Sequence, residues 1–127
     1  MKIYLISDDN VVSRKLKENI EKRSLNKHET IIIKDCLNID LKNCIGIIID
    51  IIKISSIELE KFFIAFGSIP IAYFIEESNK KYLNKNSIRI YKEKINDLVV
   101  DRLIEYFERY SNLLLQYIFL KDKNSYV

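Results

Sequence analysis

The amino-acid sequence predicts an α/β protein built on a doubly wound parallel sheet. Short runs rich in Ile, Tyr and Phe alternate with amphipathic segments of helical spacing, and the connections between them are short. Parallel strands need crossover connections, which alternating helices supply. The predicted strands cover residues 2–7, 30–33, 45–51, 69–75 and 88–92.

The first strand and helix have the clearest patterns. Residues 2–7 are nearly all apolar, which is typical of a strand that is buried on both faces. In the segment 11–23, Val12, Leu16 and Ile20 recur at helical spacing, and charged residues fill the opposite face. This segment is therefore predicted to be an amphipathic helix.

The next two strand–helix units follow the same order. The β-branched run 30–33 predicts a strand, and Asp35 can cap a short helix that ends near residue 41. Residues 45–51 form the most apolar segment, which predicts a central strand covered on both faces. A helix is predicted over 57–66.

The last two strands are shorter and more polar. Pro70 is tolerated near the start of the strand at 69–75. Residues 79–86 have room for a helix of two turns at most. In the segment 88–92, Ile alternates with Arg and Tyr, which predicts an edge strand with one wetter face.

The final helix is predicted to begin at Asn96 and to extend beyond the sheet. Its apolar stripe consists of Val99, Leu103, Tyr106, Tyr110, Leu113, Tyr117 and Leu120. Residues 1–110 would form the domain, and 111–127 would continue the helix and end in a tail. An apolar helix that projects from a small domain is expected to dock on a partner, most simply a second copy of the chain. It could instead fold back over the domain, or serve as a linker to another domain.

Acidic residues follow two of the predicted strands. Asp8 and Asp9 come directly after the first strand, and Asp50 ends the third. Because the carboxyl ends of parallel strands meet at one edge of a sheet, we expect these carboxylates to converge. Carboxylate oxygens suit a hard cation such as Mg²⁺, so the sequence predicts a small cation site. The alternative is that all three are exposed strand-end residues.

The order and spacing of several segments resemble the receiver domain of bacterial response regulators, the CheY-like domain with a flavodoxin-type fold. These segments are Leu5–Asn10, Arg14–Leu16, Ile48–Asp50, Ile69–Phe74 and Ile90–Lys92. The resemblance covers residues 1–110. It implies a five-stranded parallel sheet in the order 2-1-3-4-5.

The resemblance also implies functional roles. Asp8, Asp9 and Asp50 would hold Mg²⁺ together with the backbone carbonyl of Ile52. Asp50 would accept a phosphoryl group from a histidine kinase, and Lys92 would pair with the phosphoryl oxygens. A divalent cation would neutralise the acid cluster and orient the phosphoryl donor.

Two lysines compete for the role given to Lys92. In the family, apolar residues of the last helix lie seven and eleven positions after the lysine. Counted from Lys92, these positions are Val99 and Leu103, whereas both are acidic when they are counted from Lys94. Lys92 therefore fits the resemblance.

Several positions depart from the family pattern. Ile75 stands where the family has a Ser or Thr, and Glu76 replaces a small residue, so that a carboxylate would repel a phosphoryl group. Arg89 replaces an aromatic residue, and Glu93 a proline. These departures predict an atypical receiver with weakened or lost phosphorylation switching, which acts by protein–protein interaction or dimerisation. The alternative is an ordinary phosphoaccepting regulator that uses Asp50 and Mg²⁺.

Composition narrows the remaining classes of function. No apolar run approaches the roughly 18–20 residues of a membrane span, and Met1 leads straight into a strand without a signal peptide, so a cytoplasmic protein is expected. The formal charge is only +3, which makes nucleic-acid binding unlikely without an additional domain. Neither glycine belongs to a phosphate-binding loop.

The remaining reactive side chains predict no further chemistry. Cys36 and Cys44 are expected to be ordinary reduced thiols. His28, the single histidine, lies in a polar segment and is expected at the surface. No Asp-x-Asp follows a strand, which disfavours a metal-dependent phosphohydrolase, and the chain is predicted not to be an enzyme beyond phosphoryl transfer at Asp50.

Overall fold

The structure, a computed structural model, describes residues 1–35, 39–40, 42–53, 69–82 and 88–110. Its strands are β1 (Lys2–Ile6), β2 (Glu29–Ile33), β3 (Cys44–Asp50), β4 (Ile71–Ile75) and β5 (Arg89–Tyr91). All pairings are parallel, in the order β2-β1-β3-β4-β5. The described residues also form two helices, α1 (Val11–Arg23) and α2, whose described helical residues run from 97 to 110. The predicted flavodoxin-like sheet, with its order 2-1-3-4-5, is confirmed.

Some predicted elements lie outside the described residues. They are most of the short helix at 35–41, the helix at 57–66, the end of the segment 79–86, and the continuation of the last helix over 111–127. Short 3₁₀ segments occupy Ile51–Lys53 and Glu77–Tyr82. Neither described helix is long and apolar enough to cross a membrane.

The helix α1 has the bounds that the sequence predicts, because Asn10 caps it. The Asn10 side-chain oxygen accepts the Ser13 N–H at 2.9 Å, and thereby satisfies one of the first-turn N–H groups that have no helical partner. Leu16 and Ile20 are fully buried against the sheet.

Both helices pack on the same face of the sheet. The buried cluster on this face comprises Ile3, Leu5, Leu16, Ile20, Ile45, Ile48, Ala72, Phe74, Ile90, Ile95, Val100, Leu103, Ile104 and Phe107. The opposite face buries Tyr4, Ile6, Ile47, Ile49 and Tyr73. The central strands β1, β3 and β4 are therefore covered on both faces, which explains why their sequences are nearly continuous apolar runs.

The inward face of α2 differs from the predicted stripe. Asn96 caps the helix by accepting the Val99 N–H at 3.0 Å. Val99 and Tyr106 of that stripe are partly buried and pack against the cluster on this face, whereas Tyr110 is 37 % exposed. The positions that face the sheet follow the 3.6-residue period more closely, and they are Val100, Leu103, Ile104 and Phe107.

Gly46 allows α2 to lie close to the sheet. The register between β1 and β3 shifts between Lys2 and Ile3, which makes Ile45 the extra residue of a β-bulge. A Cβ atom on Gly46 would lie 2.5 Å from ring atoms of Phe107. Only glycine leaves room for this ring.

The prediction of a surface position for His28 is wrong. His28 is 1 % exposed, and its Nε2 lies 2.7 Å from Glu108 Oε1 on α2. Lys27 Nζ is 3.7 Å from the same carboxylate oxygen, and Arg23 binds both oxygens of Asp101 at 2.8 and 2.6 Å. Because α2 returns over the start of β2, a polar segment becomes a buried contact between helix and sheet.

Candidate functional site

An acid and a base meet at the carboxyl ends of the strands. Asp50, the last residue of β3, is 2 % exposed, and Lys92 directly follows β5. The Lys92 N–H donates to the Ile75 carbonyl at 3.0 Å, which fixes the Lys92 backbone beside the end of β4. Lys92 Nζ lies 2.8 Å from Asp50 Oδ2. A buried carboxylate without such a partner would carry an uncompensated desolvation cost.

The neighbouring lysine has a different partner. Lys94 Nζ lies 3.5 Å from Glu77 Oε1, and the Lys94 side chain is 60 % exposed. Lys92 Nζ, by contrast, lies 5.3 Å from the centre of the Phe74 ring, an arrangement that favours a cation. The structure thus brings Lys92, rather than Lys94, to Asp50.

Two buried serines also lie at this site. Ser7 Oγ is 3.5 Å from Asp50 Oδ2 and 2.6 Å from Ser13 Oγ, and both serines are fully buried. The Ile52 N–H donates to Asp50 Oδ1 at 3.3 Å. Asp50 is therefore surrounded by donors from three parts of the chain. Sequence analysis missed the serines, although Ser13 lies three residues before Leu16 on the buried side of α1.

Asp9, one of the two acids that follow β1, binds a side chain of α1. Asp9 accepts two hydrogen bonds from the Arg14 guanidinium, at 2.7 and 3.1 Å. These bonds lower the pKa of Asp9 below its usual value, and desolvation opposes them. Asp8 is half-buried.

This arrangement bears on the predicted cation site. Among the described residues, no group of three or more His, Cys, Asp or Glu side chains is placed so that it could hold a metal ion. As placed, Asp8, Asp9 and Asp50 do not form such a site. Magnesium binding by these carboxylates together with the Ile52 carbonyl stays a prediction.

The end of β4 carries an aliphatic residue, Ile75, followed by two acids, Glu76 and Glu77. Ile75 is fully buried and Glu76 is exposed. The Glu77 N–H donates to the Glu93 carboxylate, at 2.9 Å to Oε2 and 3.3 Å to Oε1. Glu93 therefore holds the chain that follows β4 against the chain that follows β5.

Cys44 is not a nucleophile in this structure. It lies at the start of β3, at the opposite edge of the sheet from Asp50, and is partly buried. Burial raises the pKa of its thiol to about 11, so it is protonated at neutral pH. Cys36 lies outside the described residues.

Comparison with known proteins identifies no family. No protein-family model matches the chain, and no curated protein is significantly similar to it. Any assignment of function therefore rests on the fold and on the chemistry around Asp50.

Proposed function

We propose that the chain is a receiver-like signalling module of the two-component type, with weakened or lost phosphorylation switching. It works by binding another protein or a second copy of itself. It catalyses no reaction beyond phosphoryl transfer to and from Asp50. We place it in the cytoplasm.

The contact between Asp50 and Lys92 carries the proposal. The Asp50 carboxylate lies at the carboxyl edge of a parallel sheet, where ligands of such folds bind. Lys92 Nζ, at 2.8 Å, is positioned to neutralise charge that a phosphoryl group would add. A buried carboxylate beside a fixed cation is what phosphoryl acceptance needs. It does not fit the alternative that Asp50 is merely an exposed residue at the end of a strand.

The surroundings of the site favour weak switching. A switch needs an element with two arrangements that the modification biases. The Ile75 side chain, at the end of β4, has no hydrogen-bond donor that could turn toward a phosphoryl group on Asp50. The hydrogen bonds from the Glu77 N–H to the Glu93 carboxylate hold the adjacent backbone in place. The carboxylate of Glu76 adds negative charge at the same strand end, which opposes an anionic donor.

Protein partners are the proposed output. The outer side of α2 has a groove of about 330 Å³, lined by Arg102, Glu105, Tyr106, Arg109 and Tyr110. Exposed aromatic and Arg side chains are enriched in protein interfaces. We propose that a second copy docks along this last helix, and that a histidine kinase or an output protein is the other partner. Nucleic-acid binding would need an additional domain.

Treatment with acetyl phosphate, followed by intact-mass measurement with and without Mg²⁺, tests the proposal. We expect slow or partial addition of one phosphoryl group, no addition to the Asp50→Asn variant, and little change in amide hydrogen exchange around β4. Lys92→Met should reduce the labelling. Lys94→Met is its matched control and should leave the labelling unchanged, because Lys92 binds Asp50 whereas Lys94 binds Glu77. Dependence of the labelling on Mg²⁺ would support the predicted cation site.

The alternative is an ordinary phosphoaccepting regulator, which the Asp50–Lys92 contact also favours. In that case phosphorylation would be rapid and stable, and hydrogen exchange near β4 and β5 would change broadly. That result would overturn weakened switching. Labelling at a residue other than Asp50 would overturn both versions.

A further inference from the structure

Among the described strands, β2 is the terminal one on one side of the sheet. The side of β2 that faces away from β1, with which no described strand pairs, is its free edge. The Glu29 N–H donates to the Met1 carbonyl at 2.8 Å, and the Ser7 N–H donates to the Ile33 carbonyl at 2.9 Å. Because peptide groups alternate in direction along a strand, those of Thr30 and Ile32 point away from β1.

Side chains of α1 occupy the edge at Thr30. Lys17 Nζ donates to the Thr30 carbonyl at 2.6 Å, and the Thr30 N–H donates to Glu21 Oε2 at 3.1 Å. Lys17 and Glu21 are one helical turn apart and bind each other at 3.1 Å. The Lys17–Glu21 ion pair thus satisfies both the N–H and the carbonyl of Thr30. A neighbouring strand would otherwise form hydrogen bonds with these two groups.

Beyond Thr30 the edge is more accessible. A groove of about 310 Å³ runs between α1 and β2, and Arg14 and Ile32 are among the residues that line it. Four of the five residues of β2, Thr30–Ile33, are β-branched, a composition that favours strand pairing. Every copy of the chain carries the same edge, so two copies could pair it antiparallel about a two-fold axis.

We propose that the Lys17–Glu21 pair closes the free edge of β2 and prevents it from pairing with β2 of a second copy. Natural sheets protect edge strands with charged side chains for this reason. The inference is independent of the proposed function, because it involves neither Asp50 nor the outer side of α2.

The test compares the full-length Lys17→Ala/Glu21→Ala variant with Glu18→Ala/Lys22→Ala. The control removes the same residue types, at the same spacing, from exposed positions of α1. We expect the Thr30 amide of the first variant to exchange about tenfold faster at low concentration, which corresponds to the loss of about one hydrogen bond. In sedimentation velocity, the first variant should gain a concentration-dependent association in addition to any self-association through α2, which the control and the wild type would share with it.

Adding Ile32→Pro to the first variant shows whether the association uses the edge. Proline removes the outward N–H of Ile32, so the new association should disappear. Far-UV circular dichroism confirms folding, and Lys17→Met, which keeps the apolar stem, replaces the double variant if that does not fold. A mass equal to that of the wild type would overturn the proposal, whether or not Thr30 exchange changes, as would an association that persists with Ile32→Pro.

Discussion

Replacement of Gly46 by Ala directly tests how α2 is fitted to the sheet. A Cβ at this position would lie 2.5, 2.5 and 2.6 Å from three ring atoms of Phe107. Ordinary carbon–carbon contacts are about 3.5–4.0 Å, so the ring would have to retreat by about 1 Å. Phe107 is fully buried, and its neighbours on α2 pack against the same face, so it has little room to move.

The expected loss of stability follows from this overlap. Overpacking a well-packed core costs about 1–3 kcal/mol, and the full overlap with a buried ring places Gly46→Ala at the upper end. Replacing a strand glycine by alanine returns about 0.5–1 kcal/mol of chain entropy. We therefore expect a net loss of about 2 kcal/mol, measured by urea unfolding with circular dichroism.

A double-mutant cycle with Phe107→Leu separates overlap from other causes. The smaller side chain leaves room for the new methyl group, so Gly46→Ala should cost less than about 1 kcal/mol in the Phe107→Leu background. If Gly46→Ala were as stable as the wild type, or were equally destabilising in both backgrounds, the close packing of α2 on the bulge would be refuted.

Three further predictions concern charges and a helix cap. Lys92→Met leaves the buried Asp50 carboxylate without its cation and should lower the free energy of unfolding by about 3–5 kcal/mol. Part of this loss should be recovered in Lys92→Met/Asp50→Asn. A Lys92→Met variant as stable as the wild type would contradict the pairing. The hydrogen bond from His28 lowers the pKa of Glu108 in the folded state. The stabilisation that Glu108 contributes to folding is therefore fully present above the ordinary Glu pKa, and it is lost as the pH falls through the lowered pKa of the folded protein. Glu108→Gln should accordingly flatten the acid limb of a stability–pH profile, and an unchanged limb would argue against this contact. Asn96→Ala removes the cap of α2 and should lower stability by about 1 kcal/mol, detectable as a lower urea midpoint at unchanged slope.

Hydrophobic periodicity sufficed to predict the sheet. The strands at the start of the chain and before Asp50 are nearly continuous apolar runs, and such runs occur where both faces are covered. The bounds of α1 followed from its buried positions and from the charged residues around them. The position of Asp50 at the carboxyl edge of the sheet followed from the parallel connections, whereas the choice of Lys92 as its partner came from the family resemblance.

Partners of the polar side chains were decided by tertiary structure. Asp9 binds the Arg14 guanidinium on the next helix, a partner that no sequence pattern predicted. His28 was expected in solvent, but Glu108, eighty positions away, covers it. A periodic pattern reports which side of an element is buried. It does not report which charged groups from distant elements approach within hydrogen-bonding distance, because that depends on how helices cross the sheet.

The sequence by itself determined the α/β class and the position of Asp50 at the carboxyl edge, because both follow from local pattern and parallel connectivity, and the family resemblance added the strand order and Lys92. The tertiary structure decided how closely α2 approaches Gly46, how His28 is buried beside Glu108, and how Lys17 and Glu21 cover Thr30. These depend on distances of a few ångströms between elements that the chain brings together only on folding.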